Sequence, residues 1–185
     1  MLDNLRKELE GFALNVIASA KGELQSQGKV SSGRLKNSLE YEITEDKGEV
    51  DLSFYGEDYA MFVDKGVQGA NPSGMPEGAI ARYNKAPMSP YRFGTGSGKK
   101  GLRGGINKWL TQKGIKGVRD DKGRFLPRKS MIFLMSRSVY LTGMRPSFFF
   151  TKPFERYRKG LTNKLMDAYG IDIKQELDKE IKNGR

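Results

Sequence analysis

Two short stretches of this chain carry the residue types from which nucleotide-binding or hydrolytic sites are made. Phe93-Gly94-Thr95-Gly96-Ser97-Gly98-Lys99-Lys100 is a glycine-rich run ending in lysine, the composition of a loop that wraps phosphate oxygens with backbone N–H groups. That loop requires Gly, four residues, then Gly-Lys-Ser/Thr between a strand and a helix. Here Gly94 and Gly98 stand too close, Lys99 is followed by Lys100, and no apolar strand leads in, so nucleotide binding is rejected. Asp120 and Asp121 are the nearest thing to a carboxylate pair for a magnesium-dependent nuclease. They lie in Val118-Arg119-Asp120-Asp121-Lys122-Gly123, where adjacent acids running into Lys-Gly read as a solvated turn.

The chain has no His and no Cys. Their absence removes Ser-His and Cys-His nucleophile activation and the usual general base near neutrality. It also removes imidazole and thiolate metal ligands and disulfides, and it fits a reducing cytoplasm. The expectation is a protein that is not an enzyme, with no cofactor, no metal and no small-molecule substrate.

Charge points to partners instead. The net charge is +11, and Lys99 to Arg137 contains twelve basic and two acidic residues, so this island holds nearly all of the excess. Such an island bears on what the protein touches rather than on how it folds. Its candidate partner- or DNA-facing residues begin with Lys99, Lys100, Arg103, Lys108 and Lys113. They continue through Lys116, Arg119, Lys122 and Arg124 to Arg128 and Lys129. Trp109, Phe125 and Tyr140 are interleaved among them, a composition suited to tracking phosphates with rings for stacking. Nucleic-acid binding is therefore one functional reading. Against it, Trp109 belongs to an apolar helical face, and no recognition-helix pattern, RNA-binding signature or zinc knuckle is present.

The elements that must position these residues follow from periodicity. Leu5, Leu9, Phe12, Ala13, Val16, Ile17, Ala20 and Leu24 form one apolar stripe of a long first helix, with Asp3 or Asn4 available as cap and Gly28 as stop. Leu39, Tyr41 and Ile43, then Val50, Leu52 and Phe54, alternate with polar residues. They predict a hairpin turning through Glu45-Asp46-Lys47-Gly48. Glu57 to Lys65 is a short helix stopped by Gly66, with Tyr59, Phe62 and Val63 on one face and Asp64 expected at its surface.

Residues 67–100 hold four of the seven prolines and many glycines, a loop that an assembly could order. Leu102, Ile106, Trp109 and Leu110 mark one helix. Pro127 opens another that runs to Gly143. Phe148-Phe149-Phe150 reads as a strand buried on both faces and paired with the hairpin. Thr151 then caps a helix with Phe154, Tyr157, Leu161, Leu165 and Ala168 along one side, stopped by Gly170. A final short helix over 171–183 carries only Ile173, Leu177 and Ile181.

The fold class is α+β: a small antiparallel sheet packed by the long N-terminal helix and a C-terminal helix, with a basic loop and two-helix insertion. The length of 185 residues suits one domain. Its core is placed at 1–66 and 143–170 and its Gly/Pro-rich basic insertion at 67–142. No apolar run approaches the roughly 18 residues of a membrane span, and no leader is expected before the first helix.

Three segments carry a resemblance in chain order. Ser32-Gly33-Arg34-Leu35-Lys36-Asn37-Ser38, Tyr59-Ala60-Met61-Phe62-Val63-Asp64-Lys65-Gly66 and Gly143-Met144-Arg145-Pro146-Ser147-Phe148-Phe149-Phe150 resemble the motif set of a bacteriophage family. That family comprises neck and tail-completion proteins of tailed phages, the minor tail protein Z-like proteins, with tail-terminator and head–tail-joining roles. The resemblance covers roughly residues 1 to 170. It implies a virion protein that forms a ring, generally hexameric, around the DNA channel.

The implied partners are copies of the chain itself and the neighbouring neck and tail-tube proteins, with passing contact to genomic DNA and no membrane. It also implies that the 59–66 element helps build subunit contacts. With that element, Tyr59, Phe62, Val63 and Asp64 are the expected contact residues, joined by Ile173, Leu177 and Ile181. Family members are commonly shorter, so the resemblance implies no role for the 67–142 insertion.

Overall fold

In a computed structural model, residues 2–46, 48–70, 84–94 and 101–184 are described. The helices are α1 (Asp3–Ser26), α2 (Arg34–Asn37), α3 (Ala60–Lys65), α4 (Leu102–Gln112), α5 (Arg128–Thr142), α6 (Thr151–Arg158) and α7 (Leu161–Asn183). The strands are β1 (Glu40–Asp46) and β2 (Glu49–Tyr55), which make a two-stranded antiparallel sheet. The fold is α+β, with long helices at both ends of the chain. It divides into two compact units. One is Met1–Gln27, Leu35–Glu57 and Phe149–Arg185, and the other is Gly28–Arg34 and Asp58–Phe148. The 59–66 element and most of the 143–150 segment, assigned from sequence to the core, thus belong with the basic residues in the second unit.

The first unit is built on α1, whose stripe Leu9, Phe12, Ala13, Val16, Ile17, Ala20 and Leu24 is buried. It packs on the hairpin, α6 and α7. In the hairpin Tyr41 faces Phe54 and Ile43 faces Leu52, all half-buried on one face, as the period of two demands. Gly48 takes φ +84° in the connection, a conformation that favours glycine.

The expected third strand is absent: Phe148 adopts φ +52°, which breaks an extended run, and Phe149 and Phe150 turn into α6. Phe149 is buried, while Phe150 joins Phe12, Phe54 and Phe154 in edge-on and stacked contacts with centroids 5.2–6.2 Å apart. An aromatic cluster, not a sheet, removes these rings from water.

The C-terminal helices also depart from expectation. The break falls at Lys159-Gly160, where Gly160 takes φ +80°, and α7 then runs through Gly170 to Asn183 as one helix. Gly170 stays helical because the residues on either side of it are held. Ala168 before it and Asp172 after it are buried on the side that faces α1. Neither Asp3 nor Asn4 caps α1; the residue at the cap position is Leu2, and it makes no side-chain cap bond. The cap comes from Asp172, whose Oδ1 accepts the Asn4 N–H at 3.0 Å and the Asn4 side-chain amide at 2.7 Å. Its Oδ2 accepts the Leu5 N–H at 2.9 Å. Burial pushes the Asp172 carboxyl up, but these donors favour the charged form more strongly and hold it below the ordinary carboxylate range.

The second unit contains the α4–α5 helical pair around Ile106, Leu110 and Met131, flanked by Leu102, Ile115, Ile132, Met135 and Val139. Pro127 sits at the N-cap of α5, one position before the first helical residue, and Gly143 ends that helix with φ +77°.

Candidate interaction surfaces

The 59–66 and 143–148 segments meet as a backbone clasp. The Val67 N–H donates to the Met144 carbonyl at 3.0 Å, and the Met144 N–H returns the bond to Val67 at 2.7 Å. Ser147 donates to the Val63 carbonyl through its N–H at 3.1 Å and its hydroxyl at 2.7 Å. The Phe148 N–H donates to the Asp64 carbonyl at 3.0 Å. Gly66 (φ +73°, ψ −175°) and Gly143 (φ +77°, ψ −173°) both occupy a region open essentially to glycine alone. A Cβ on Gly66 would meet the Met144 carbonyl oxygen at 2.5 Å and the Pro146 nitrogen at 2.7 Å, and one on Gly143 would strike the Val67 carbonyl oxygen. These glycines are required by the crossing of two backbones.

This geometry corrects the expected contact set. Asp64 is 1% exposed, so it is a buried member of the clasp and not a surface carboxylate; Lys65 Nζ lies 3.7 Å from it. Phe62 is 42% exposed and sits edge-on to Tyr91 with centroids 4.6 Å apart, so it is not core. Tyr59 is exposed and Val63 half-buried. Of the four, Tyr59 and Phe62 offer area to a partner.

The basic island is spread over α4, α5 and the 115–126 connection. Several cations are engaged within the unit. Lys113 Nζ donates to the carbonyls of Gly28 and Val30 at 3.2 and 3.0 Å. Arg128 donates to Asn107 Oδ1 at 2.9 Å and to Thr111 Oγ1 at 2.7 Å. The 118–126 segment is a small hairpin closed by the Leu126 N–H to Val118 carbonyl bond at 2.8 Å. Asp120 Oδ1 accepts the backbone N–H of Lys122 at 3.0 Å and of Arg124 at 2.8 Å, and Arg124 Nε lies 3.3 Å from Oδ2. Asp120 therefore builds the turn, as its sequence context predicts. The Arg119 guanidinium covers one face of the Phe125 ring at 4.5 Å, and Phe125 remains exposed. Lys108, Lys116, Lys122 and Lys129 are exposed. Lys99 and Lys100, with the rest of the glycine-rich run from Thr95, lie outside the described residues.

Between α4 and α5 lies an open cleft of about 1120 Å³, walled by Leu102, Phe133 and Tyr140 and fringed by Arg103, Lys108 and Arg137. The Arg103 guanidinium sits 5.0 Å over the Phe133 ring. Among the described residues no acid lines the cleft, and none occurs in α4 or α5. Trp109, expected on the buried face of α4, is 39% exposed.

α7 has two faces. Leu161, Leu165, Ala168 and Asp172 point inward, while Ile173, Leu177 and Ile181 form an exposed row on another side. Two features of these surfaces escape composition-based reading. Asp172 looks like one more charge on a polar helix, and only its position between Ile171 and Ile173 sets it apart. Gly104-Gly105 sits inside the strongly periodic α4, an unusual place for two glycines.

Among the described residues no cluster of His, Cys, Asp or Glu is arranged to hold a metal ion, and no helix is long and apolar enough to cross a membrane. Comparison with protein-family models, with curated proteins and with solved structures finds no match.

Proposed function

We propose that this chain is a structural virion protein of a tailed phage, forming a ring in the neck that completes the tail and joins it to the head around the DNA channel. The observation that carries the reading is how the motif segments and the insertion are related. The 59–66 and 143–150 segments resemble the family pattern, and residues 67 and 144 at the edges of the insertion are hydrogen-bonded to each other. A segment whose two ends are adjacent can be long in one protein and short in another without disturbing the clasp. That accounts for a family pattern interrupted by a basic lobe. The motif glycines Gly66 and Gly143 also have a physical reason to be glycine, the close crossing of the two backbones.

In this reading the protein acts without catalysis. Head-to-tail contacts between copies close a ring, and basic surfaces dock on acidic neighbours of the neck and tail tube. The test is to mix purified protein with its tail tubes and measure mass and head-joining competence. A chain that stays monomeric and never associates with tubes would overturn the reading.

A second reading, nucleic-acid binding, draws support from the 118–126 hairpin, where exposed Phe125 stacks under Arg119 beside Lys116, Lys122 and Arg124. Salt-steep binding to single-stranded DNA that depends on Phe125 would favour it.

A further inference from the structure

We propose that the exposed row Ile173, Leu177 and Ile181 on α7 of one copy docks into the α4–α5 cleft of the next, making the heterologous contact of the oligomer. The inference rests on the ring reading and adds to it the two surfaces that meet.

Four observations converge. First, both surfaces are apolar and exposed. Leu177 and Ile181 are 58% and 65% exposed, and Phe133 and Tyr140 in the cleft are 42% and 40% exposed. Neither belongs to a buried core. Second, the cleft is long enough for the row. Ile173 to Ile181 spans about 12 Å of helix, and the α4 wall runs from Gly101 to Gln112, about 16 Å.

Third, charges are complementary. On a helix of 100° per residue, Glu180 flanks one side of the apolar row together with Glu176, which Lys179 approaches at 3.7 Å, and Asp178 and Lys174 flank the other; Lys182 points away. The cleft presents Arg103, Lys108 and Arg137 with no acid among its described lining residues.

Fourth, the cleft contains a feature that nothing among the described residues explains. Gly104 and Gly105 lie within the helix, where each costs about 1 kcal/mol relative to alanine. A Cβ at either would meet nothing within 4 Å, and neither has a positive φ. Among the described residues no packing or backbone conformation asks for glycine there. Close approach of a second helix does.

A row on one surface and a cleft on another form a heterologous pair, which repeats from copy to copy and closes when the rotation permits. Contact through two copies of the row alone would instead be isologous and stop at a dimer.

The experiment uses full-length protein and two sets of variants, both at exposed positions. Row-defective protein carries Leu177→Asp with Ile181→Asp; cleft-defective protein carries Arg103→Glu, Lys108→Glu and Arg137→Glu. Circular dichroism and thermal melting confirm that each remains folded, and light scattering reads the mass. Each variant alone is expected to lose self-association by about a hundredfold or more, as for central interface residues. Mixed one to one, they should form a species of twice the 20.8 kDa chain mass and nothing larger, because only one intact row and one intact cleft remain.

Gly105→Leu supplies an independent arm. It should leave the monomer as stable as wild type or more so, yet block assembly by filling the cleft. If wild type oligomerises but the mixture stays monomeric, or the cleft-defective protein still dimerises, the pairing is wrong while the ring reading stands. If the cleft variant assembles normally and loses only DNA binding, the cleft is a nucleic-acid surface and the proposal is overturned. If wild type is monomeric at every concentration, the ring reading and this inference fall together.

Discussion

Replacing Asp172 by alanine tests whether the N-terminus of α1 is held by a carboxylate from α7. The substitution removes an acceptor for the Asn4 and Leu5 N–H groups, at 3.0 and 2.9 Å, and for the Asn4 amide at 2.7 Å. Loss of an N-cap costs about 1 kcal/mol, and hydrogen bonds to a charged group about 1.5–3 kcal/mol each. The three share one carboxylate and water can reach the helix end, so they are not additive; about 2–3 kcal/mol is expected for Asp172→Ala. Asp172→Asn keeps one acceptor and should cost about half as much.

The dependence on pH gives a sharper signature. The folded carboxyl lies below its ordinary value. Its contribution is therefore complete above about pH 4 and is lost as pH falls through the folded value. Urea unfolding followed by far-ultraviolet circular dichroism should show a wild-type advantage at pH 7 that narrows towards pH 2. Hydrogen exchange at the Asn4 and Leu5 amides should accelerate in the variant. A difference below 0.5 kcal/mol at pH 7 (about the scatter of neutral surface changes), or one that persists unchanged at pH 2, would refute the cap.

Gly66→Ala and Gly143→Ala should each destabilise the second unit by about 3 kcal/mol or more, since both combine a glycine-only conformation with a backbone collision; Trp109 fluorescence in urea reads this unit directly. Phe62→Ala should cost only about 1 kcal/mol, because the ring is 42% exposed and its main ring contact is Tyr91, and a loss above 3 kcal/mol would mean the ring is core after all. Asp64→Lys, at a 1% exposed position, should unfold or severely destabilise the unit, so soluble, normally melting protein would contradict the buried clasp. Free protein should bind DNA no tighter than non-specific binders do, about 10⁻⁴–10⁻⁶ M near physiological salt; with four to six phosphate contacts the slope of log K against log salt would be roughly −3 to −5. A much tighter complex that Phe125→Ala disrupts would favour the nucleic-acid reading.

What the sequence made legible were the elements whose signal is local. The α1 stripe, the hairpin and the α4–α5 pair are each written in a repeat of 3.6 or 2 and closed by a glycine near the right place. What stayed hidden depends on partners distant in the chain. Three adjacent aromatics must leave water, but either a doubly covered strand or an aromatic cluster satisfies that demand. The choice lies in the positive φ of Phe148 and in Phe12 and Phe54, far upstream. Likewise Gly160 and Gly170 look equivalent as helix stops. Contacts of Ala168 and Asp172 beyond the first keep the second helical. An acid at position 64 is expected at the surface, where acids usually lie; its burial follows from the clasp that brings residues 143–148 against it.

The clasp also changes where assembly surfaces should be sought. A segment that resembles a family's motif invites the inference that it makes subunit contacts. Here Gly66, Asp64, Gly143 and Ser147 are buried and occupied by one another through the backbones of two crossing segments. Their side chains have little to offer a neighbour. Residues that hold a crossing together are constrained by internal geometry, whereas residues that meet a partner need only suit that partner. A ring built on this chain should therefore tolerate substitution at Tyr59 in proportion to area lost, and fail through misfolding at Gly66. Measuring monomer stability and assembled mass for the same set of variants separates the two. Substitutions at Gly66 and Gly143 should lower both together, while Leu177→Asp and Gly105→Leu should lower mass and leave the melting of the monomer intact. If Gly66→Ala were to melt normally and yet fail to assemble, the clasp would be an assembly surface in its own right, and the division drawn here between fold and contact would not hold.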